Sequence, residues 1–392
     1  MDSERHIAPD RAAGNWVDPG GIPRIVHEAG LEIKAHQSRS LMGTIQSFWK
    51  SELLALALAL TGCAQRAATR SESLSITEEA VRFASASVML AGTLVLPEGA
   101  DKHPAVVLFH GSGPQSRDLF TARWFGAHGI AALAYDKRGV GESTGNFRTV
   151  PFMELCGDGL AAIDYLKSRR DIDAKHIGVW GLSQGGWLGP LAASRSPDVA
   201  FVIVVSGPAV SPGEQMIFYY ASELHDQGVS ESDVREATTL RRDIWNYLAS
   251  GNGYESAQTE LNGGRRKRWY NEVRNQADHL FDSLPSPAEI NKPDYRYARW
   301  FKQEMNYDPL PALEALHVPA LFLFGDQDRL VNVGETVAVL RRVQNESSSR
   351  DFTIRVFPHV GHDMHLMSGD NAGVVDPEYL AVMRTWVEAR VH

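Results

Sequence analysis

The sequence predicts an α/β fold in which a mostly parallel, eight-stranded sheet is flanked by helices and interrupted by one helical insertion. Three observations carry this. Short continuous apolar runs, such as Pro-Ala-Val-Val-Leu-Phe-His at 104–110 and Ala-Leu-Phe-Leu-Phe at 320–324, have the length and composition of strands covered on both faces. Segments of helical period alternate with them, as parallel strands require for their crossovers. One long piece, 212–306, breaks the alternation, with dense charge and no strong strand signal.

Residues 1–41 are polar, with scattered Pro and Gly and no sustained period, as in a disordered extension. The run Leu-Leu-Ala-Leu-Ala-Leu-Ala-Leu at 53–60 is too short to span a bilayer and has the size of a signal-peptide apolar region. Together with Thr61, Gly62 and Cys63 its end resembles a bacterial lipobox, the motif whose cysteine is lipidated. With translation starting at Met42, 42–63 would be a lipoprotein signal, Cys63 a membrane attachment point and the cell envelope the location. Glu52 and the preceding residues fit the other reading, a short apolar helix on a cytoplasmic protein. The stretch 64–79 has the Ser, Thr, Arg and Glu content of a tether, so the folded body is expected from Ala80.

Strands are expected at 81–87 and 88–96, the second ended by Pro97 and Gly99. The buried strand 104–110 runs into His-Gly-Ser-Gly-Pro at 110–114. A helix at 118–128 and a buried strand at 130–135 lead to Asp-Lys-Arg-Gly-Val-Gly at 136–141. Pro151 opens an amphipathic helix to about 170, with Phe152, Leu155, Leu160, Ile163 and Leu166 near helical spacing. Further strands are expected at 176–180, 199–206, 319–324 and 352–357, which divides the core into 80–211 and 307–392. Within 212–306, helices are expected at 216–225, 233–248 and 265–281, forming a cap over the C-terminal edge of the sheet. The basic run Gly-Arg-Arg-Lys-Arg at 264–268 reads as a solvated helix face.

Composition narrows the function classes. The 48 acidic and 39 basic residues are mixed along the 392-residue chain and leave a net charge of -9, which disfavours a nucleic-acid partner. Two cysteines provide neither a disulfide framework nor a Cys-based zinc site, and Cys156, in an apolar helical stretch, reads as a small core residue.

The stretch Gly-Leu-Ser-Gln-Gly-Gly at 181–186 reads as strand, sharp turn, helix. Glycines on either side of Ser183 remove side chains that would collide in so tight a turn, leaving the serine strained and its hydroxyl clear of the sheet. A chance G-x-S-x-G is expected about 0.2 times in a chain this rich in glycine. Gly-Glu-Ser-Thr-Gly at 141–145 is such a match, but no helix-like period follows Ser143 and its strand ends earlier, at Asp136. A serine hydroxyl needs a base to become a nucleophile, and the usual base is a histidine oriented by a carboxylate. After the strand at 320–324 come Asp326 and Asp328, of which Asp328 is favoured because it stands further from the strand end. Asp326 is expected to bond to its own backbone as a turn residue. After 352–357, His359, His362 and His365 compete, and Gly361 provides the turn that returns His362 over the sheet edge. Donors for a developing oxyanion are expected from the amide of Gln184, at a helix start, and from the loop at 110–114, with Ser112 preferred and Gly113 the alternate. His110 reads as a loop brace, and Asp136 and Arg138 as a buried ion pair or braces of their turn.

These motifs, in this order along 80–392, resemble the α/β-hydrolase superfamily and, within it, bacterial serine esterases of the dienelactone-hydrolase and prolyl-oligopeptidase-like group. The resemblance implies a triad of Ser183, Asp328 and His362, small-molecule carboxylic esters as substrates, and neither metal nor organic cofactor. Ser183 stands where dienelactone hydrolase itself has cysteine, so dienelactone chemistry is not implied. The same machinery also serves peptidases, thioesterases and acyltransferases, although the repeated strand blocks of propeller-bearing peptidases are missing. A lipid-anchored binding protein with an inactive hydrolase fold is the remote alternative.

Overall fold

The computed structural model describes residues 74–99, 102–276, 281–292, 295 and 300–391. The apolar run 53–60 and Cys63 lie outside the described residues. No helix among the described residues is long and apolar enough to cross a membrane.

One sheet holds strands β1 (Ile76–Ser85), β2 (Val88–Pro97), β3 (His103–Phe109), β4 (Ala131–Tyr135), β5 (Ile172–Leu182), β6 (Val202–Val205), β7 (Ala320–Gly325) and β8 (Phe352–Phe357). Their order is β1-β2-β4-β3-β5-β6-β7-β8. The pairs β1 with β2 and β2 with β4 are antiparallel, and every later pair is parallel. The connecting helices are α1 (Leu119–Ala127), α2 (Phe152–Lys167), α3 (Gly185–Arg195), α4 (Pro212–Asp226), α5 (Glu231–Ser250), α6 (Tyr254–Gly264), α7 (Tyr270–Gln276), α8 (Pro287–Ile290), α9 (Leu310–Glu314), α10 (Val333–Asn345) and α11 (Pro377–Val391).

The central strands are buried along their length because helices cover both faces. On β3, Val107 and Phe109 join Ile163, Leu188 and Leu340 on one side, whereas Val106 and Leu108 join Phe125, Met383 and Trp386 on the other. This is the two-residue alternation of a strand, with both faces apolar. Each large side chain so buried contributes roughly 1.5–3 kcal/mol.

The helices α4 to α8 and a π-helical turn (Trp300–Glu304) lie between β6 and β7 in sequence. They have their own core, which includes Ile244, Leu248, Trp269, Phe281 and Phe301. Serines start three of these helices: the Ser211, Ser230 and Ser286 hydroxyls accept from Glu214, Asp233 and Glu289 amides, with proline next at the first and third. The two ends of the segment meet where Gly213 N–H donates to Met305 O at 2.8 Å.

Three boundaries differ from the sequence expectation. The first strand begins at Ile76, inside the expected tether, because an exposed edge strand tolerates charge: Glu78 pairs with Arg123 and Glu79 with Arg169. The strand before Ser183 begins at Ile172, and its charged first half carried no apolar signal. The basic residues 265–268 are exposed as expected, but on a turn between α6 and α7 rather than a helix face, with Lys267 on Glu236 and Arg268 on Asp233.

Candidate active site

Ser183 occupies the turn between β5 and α3 with φ of 53°, in the left-handed region that a non-glycine residue enters at a cost of order 1–3 kcal/mol. The flanking glycines are required by space. A Cβ on Gly181 would lie 2.3 Å from Gly185 O, and one on Gly185 would lie 2.8 Å from Phe109 O. The turn is held by Ser183 N–H donating to Val205 O at 2.9 Å and by Gly186 N–H donating to Ser183 O at 2.7 Å. The duplicate match behaves differently: Ser143 is buried, donates to Asp136 O at 2.6 Å and accepts from Ala91 N–H at 2.9 Å. Its hydroxyl is consumed in bracing a turn.

The structure joins Asp328 to His362. Asp328 Oδ2 lies 2.8 Å from His362 Nδ1, while Oδ1 accepts from the amides of Leu330 at 2.8 Å and Val331 at 2.9 Å. The carboxylate is thus fixed by its own loop and has one oxygen left for the histidine. Because a carboxylate accepts, Nδ1 carries the imidazole proton and Nε2 is the basic atom of the neutral ring. The Asp328 side chain is 0% exposed and that of His362 18%. Ser183, Asp328 and His362 all stand on turns leaving the C-terminal ends of parallel strands, β5, β7 and β8.

The other candidates have separate partners. Asp326 accepts from the backbone N–H of His359 at 2.6 Å, so it ties the loop after β7 to the loop after β8 rather than closing its own turn, as was expected. His365 Nδ1 faces Asp363, 3.0 Å from its backbone O and 3.1 Å from Oδ2.

On the opposite side of Ser183 lies the loop at 110–114. A Cβ on Gly111 would be 3.7 Å from Ser183 Cβ. Gly113 has φ of 74°. Among the described residues no protein group accepts from the amides of Ser112, Gly113 or Gln184. Gln184 initiates α3, where the helix dipole also favours an anion. One group here had no counterpart in the sequence reading: buried Lys137 donates from Nζ to Gly111 O at 2.9 Å, Gly113 O at 3.1 Å and Gln184 Oε1 at 2.7 Å.

His110 braces the loop. Its Nε2 is 2.5 Å from Tyr135 O, and since a carbonyl only accepts, Nε2 carries the proton. Burial, reinforced by the Lys137 charge, pulls its pKa down to about 3. Asp136 and Arg138 are both buried but do not pair with each other. Asp136 takes Arg117 Nη2 at 2.6 Å, and Arg138 takes Asp158 at 2.6 Å and Glu154 at 2.8 Å. Burial works to raise the Asp136 carboxyl, but hydrogen bonds from Arg117 and the Glu142 amide outweigh it and hold the pKa below its usual value. These pairs pin the segment carrying Lys137 to α2 and the loop before α1, and the Asp136 N–H ties it to β2 by donating to Ala91 O at 2.8 Å. Cys156 is a buried free thiol pushed up to about 12 by desolvation, which keeps it unreactive.

The alpha/beta hydrolase family model matches residues 106–376. Esterase EstD of Thermotoga maritima is 26% identical over 284 residues, which cover 70% of this chain and 58% of that protein. An uncharacterized 31.7 kDa protein of Escherichia coli is 34% identical over 131 residues, 33% of this chain and 45% of its own. The chain therefore matches about half the length of these curated relatives. The solved structure of a Pyrococcus furiosus esterase superposes with a TM-score of 0.50 over 82% of this chain and 94% of its own, at 16% identity, and shares the fold. The eight-stranded sheet, the strained serine at its edge and the family match across most of the folded body lead to one conclusion: the chain belongs to the alpha/beta hydrolase family.

Proposed function

We propose that the protein is a serine carboxylesterase acting on small-molecule esters through Ser183, His362 and Asp328. The observation that carries this reading is the Asp328–His362 bond, which leaves a basic Nε2 on the sheet edge that also holds a serine in a strained turn. In the proposed reaction His362 Nε2 takes the Ser183 proton as Oγ attacks the ester carbonyl. The Asp328 carboxylate, buried against the ring, stabilises the imidazolium. The amides of Gln184 and Ser112, with Gly113 as the alternate to Ser112, receive the oxyanion. Collapse of the tetrahedral intermediate expels the alcohol, which takes the proton from His362, and leaves the acyl group on Ser183. Water, deprotonated by His362, then releases the acid. The helical segment between β6 and β7 serves as the cap that shapes the acyl and alcohol pockets. The esterase named among the relatives supports an ester over an amide substrate.

The test is turnover of p-nitrophenyl esters of graded acyl length beside aminoacyl amides. Ester cleavage is expected to exceed amide cleavage, and Ser183→Ala is expected to keep the fold and fall below about 1% of wild-type kcat. Retention above that level would remove Ser183 from the mechanism, and faster cleavage of the amides would replace the esterase reading with a peptidase.

A further inference from the structure

We propose that Lys137 is a positioning residue that selects and holds the amide of Ser112 as the second oxyanion donor; the inference rests on the esterase reading above. The lysine is 2% exposed, and its ammonium donates to three acceptors drawn from two chain segments: Gly111 O, Gly113 O and Gln184 Oε1. An ammonium has three N–H donors and can serve several acceptors at once. These bonds fasten the loop at 110–114 to the residue directly after the nucleophile.

The consequence for the donors follows from peptide geometry. The Gly111 carbonyl and the Ser112 N–H belong to one planar, trans peptide unit and point in opposite directions. Drawing Gly111 O onto Lys137 turns Ser112 N–H away from the lysine. Gly113 O is also held by Lys137, but the next residue is Pro114, which has no N–H to orient. The Ser112 carbonyl accepts instead from Gln115 Nε2 at 3.1 Å, and Gln115 O in turn accepts from the Lys137 backbone N–H at 3.1 Å. Lys137 thus anchors the loop through its ammonium and its backbone together. A charged donor on Gly111 O also polarises that peptide and makes Ser112 N–H a stronger donor to an anion. Because an oxyanion forms only on the way to products, a device of this kind acts on kcat more than on substrate binding.

The experiment compares wild type with Lys137→Met and Gln184→Met on one p-nitrophenyl ester, together with the affinity of a trifluoromethyl ketone, which forms an oxyanion on Ser183, and of the matching methyl ketone. Lys137→Met keeps the length of the side chain without its charge or donors. Its kcat is expected to fall 10–100-fold with KM within about twofold, approaching the loss seen when one oxyanion donor is deleted. Affinity for the trifluoromethyl ketone should fall in proportion to kcat/KM, and affinity for the methyl ketone should stay unchanged. A folded Lys137→Met with wild-type kcat, or one weakened equally toward both ketones, overturns the inference. Should Lys137→Met fail to fold, Gln184→Met decides. It keeps the Gln184 amide and cuts only the side-chain link, so kcat and trifluoromethyl ketone affinity should fall together by 3–10-fold, and unchanged values overturn the inference. A wild-type chain that leaves a fluorophosphonate unreacted at Ser183 refutes the esterase reading and this inference with it. A reactive wild type with an unaffected Lys137→Met refutes only the inference.

Discussion

His110 shows how far a residue's role depends on its surroundings. A histidine at the end of a strand in a hydrolase loop invites a catalytic reading, but with a pKa of about 3 against an ordinary 6.5 it is neutral at any working pH and acts by holding Tyr135 O. Between those two values the unfolded chain binds a proton that the folded chain does not, so stability falls as pH drops from 6.5 toward 3, by at most about 1.4 kcal/mol per unit. His110→Asn should therefore be destabilising at pH 7 and progressively less so at pH 4.5, read from urea midpoints at the two pH values; an equal penalty at both would show that the imidazole is not buried in its neutral form. Asp328 and His362, which the structure joins, could be paired from sequence because a carboxylate and a histidine following successive strands are restricted in type, order and place. Lys137 could not, because its partners lie 26 residues away at Gly111 and 47 at Gln184, and a lysine beside Asp136 and Arg138 looks like one more turn charge. The ion-pair reading of Asp136 and Arg138 failed for the same reason, whereas the turn-bracing one fits Asp136, which accepts from the Glu142 amide at 3.1 Å. Both charges were seen to be buried, but their partners, Arg117 and Asp158, come from other elements.

At the scale of elements, buried strands were legible and charged ones were not. β4, β7 and β8 lie within a residue of their expected positions because their apolar runs have sharp polar ends. The first halves of β1 and β5 were hidden by charges that an edge or a strand end carries without penalty. The helical segment presents the same difficulty, since a turn and a charged helix face have similar composition at 265–268. Its attachment was also invisible in the sequence. Gln215 of α4 donates from Nε2 to Leu330 O at 2.6 Å, and Arg329 bonds Ser222 O at 3.2 Å and pairs with Asp226. Residues directly after Asp328 thereby hold α4. Arg329 and Asp226 are about half exposed, so their pair contributes little stability. Arg329→Ala is expected to leave the melting temperature within about 2 °C and to raise KM for esters 3–10-fold through a loosened α4, with faster limited proteolysis between 212 and 250. An unchanged KM and cleavage rate would separate α4 from substrate binding.

At the scale of the molecule, the sheet brings segments far apart in sequence to one edge. The turn after β5 presents Ser183, the loop after β3 presents Ser112, and the loops after β7 and β8 present Asp328 and His362. Helices on both faces leave that edge as the place where loops gather, which is why order along the chain was enough to place these motifs at one edge. The sequence could not show how the loop at 110–114 is held in place, because that depends on side chains crossing between loops. The central claim, that Ser183 becomes covalently acylated, is tested most directly by reacting the chain with a p-nitrophenyl ester, quenching in acid and mapping the mass increment by peptide mass spectrometry. The account predicts one acyl group per chain, on the peptide bearing Ser183, and none in Ser183→Ala. Ester turnover with no acyl group on that peptide, or with the group on Ser143 or Cys156, would contradict it.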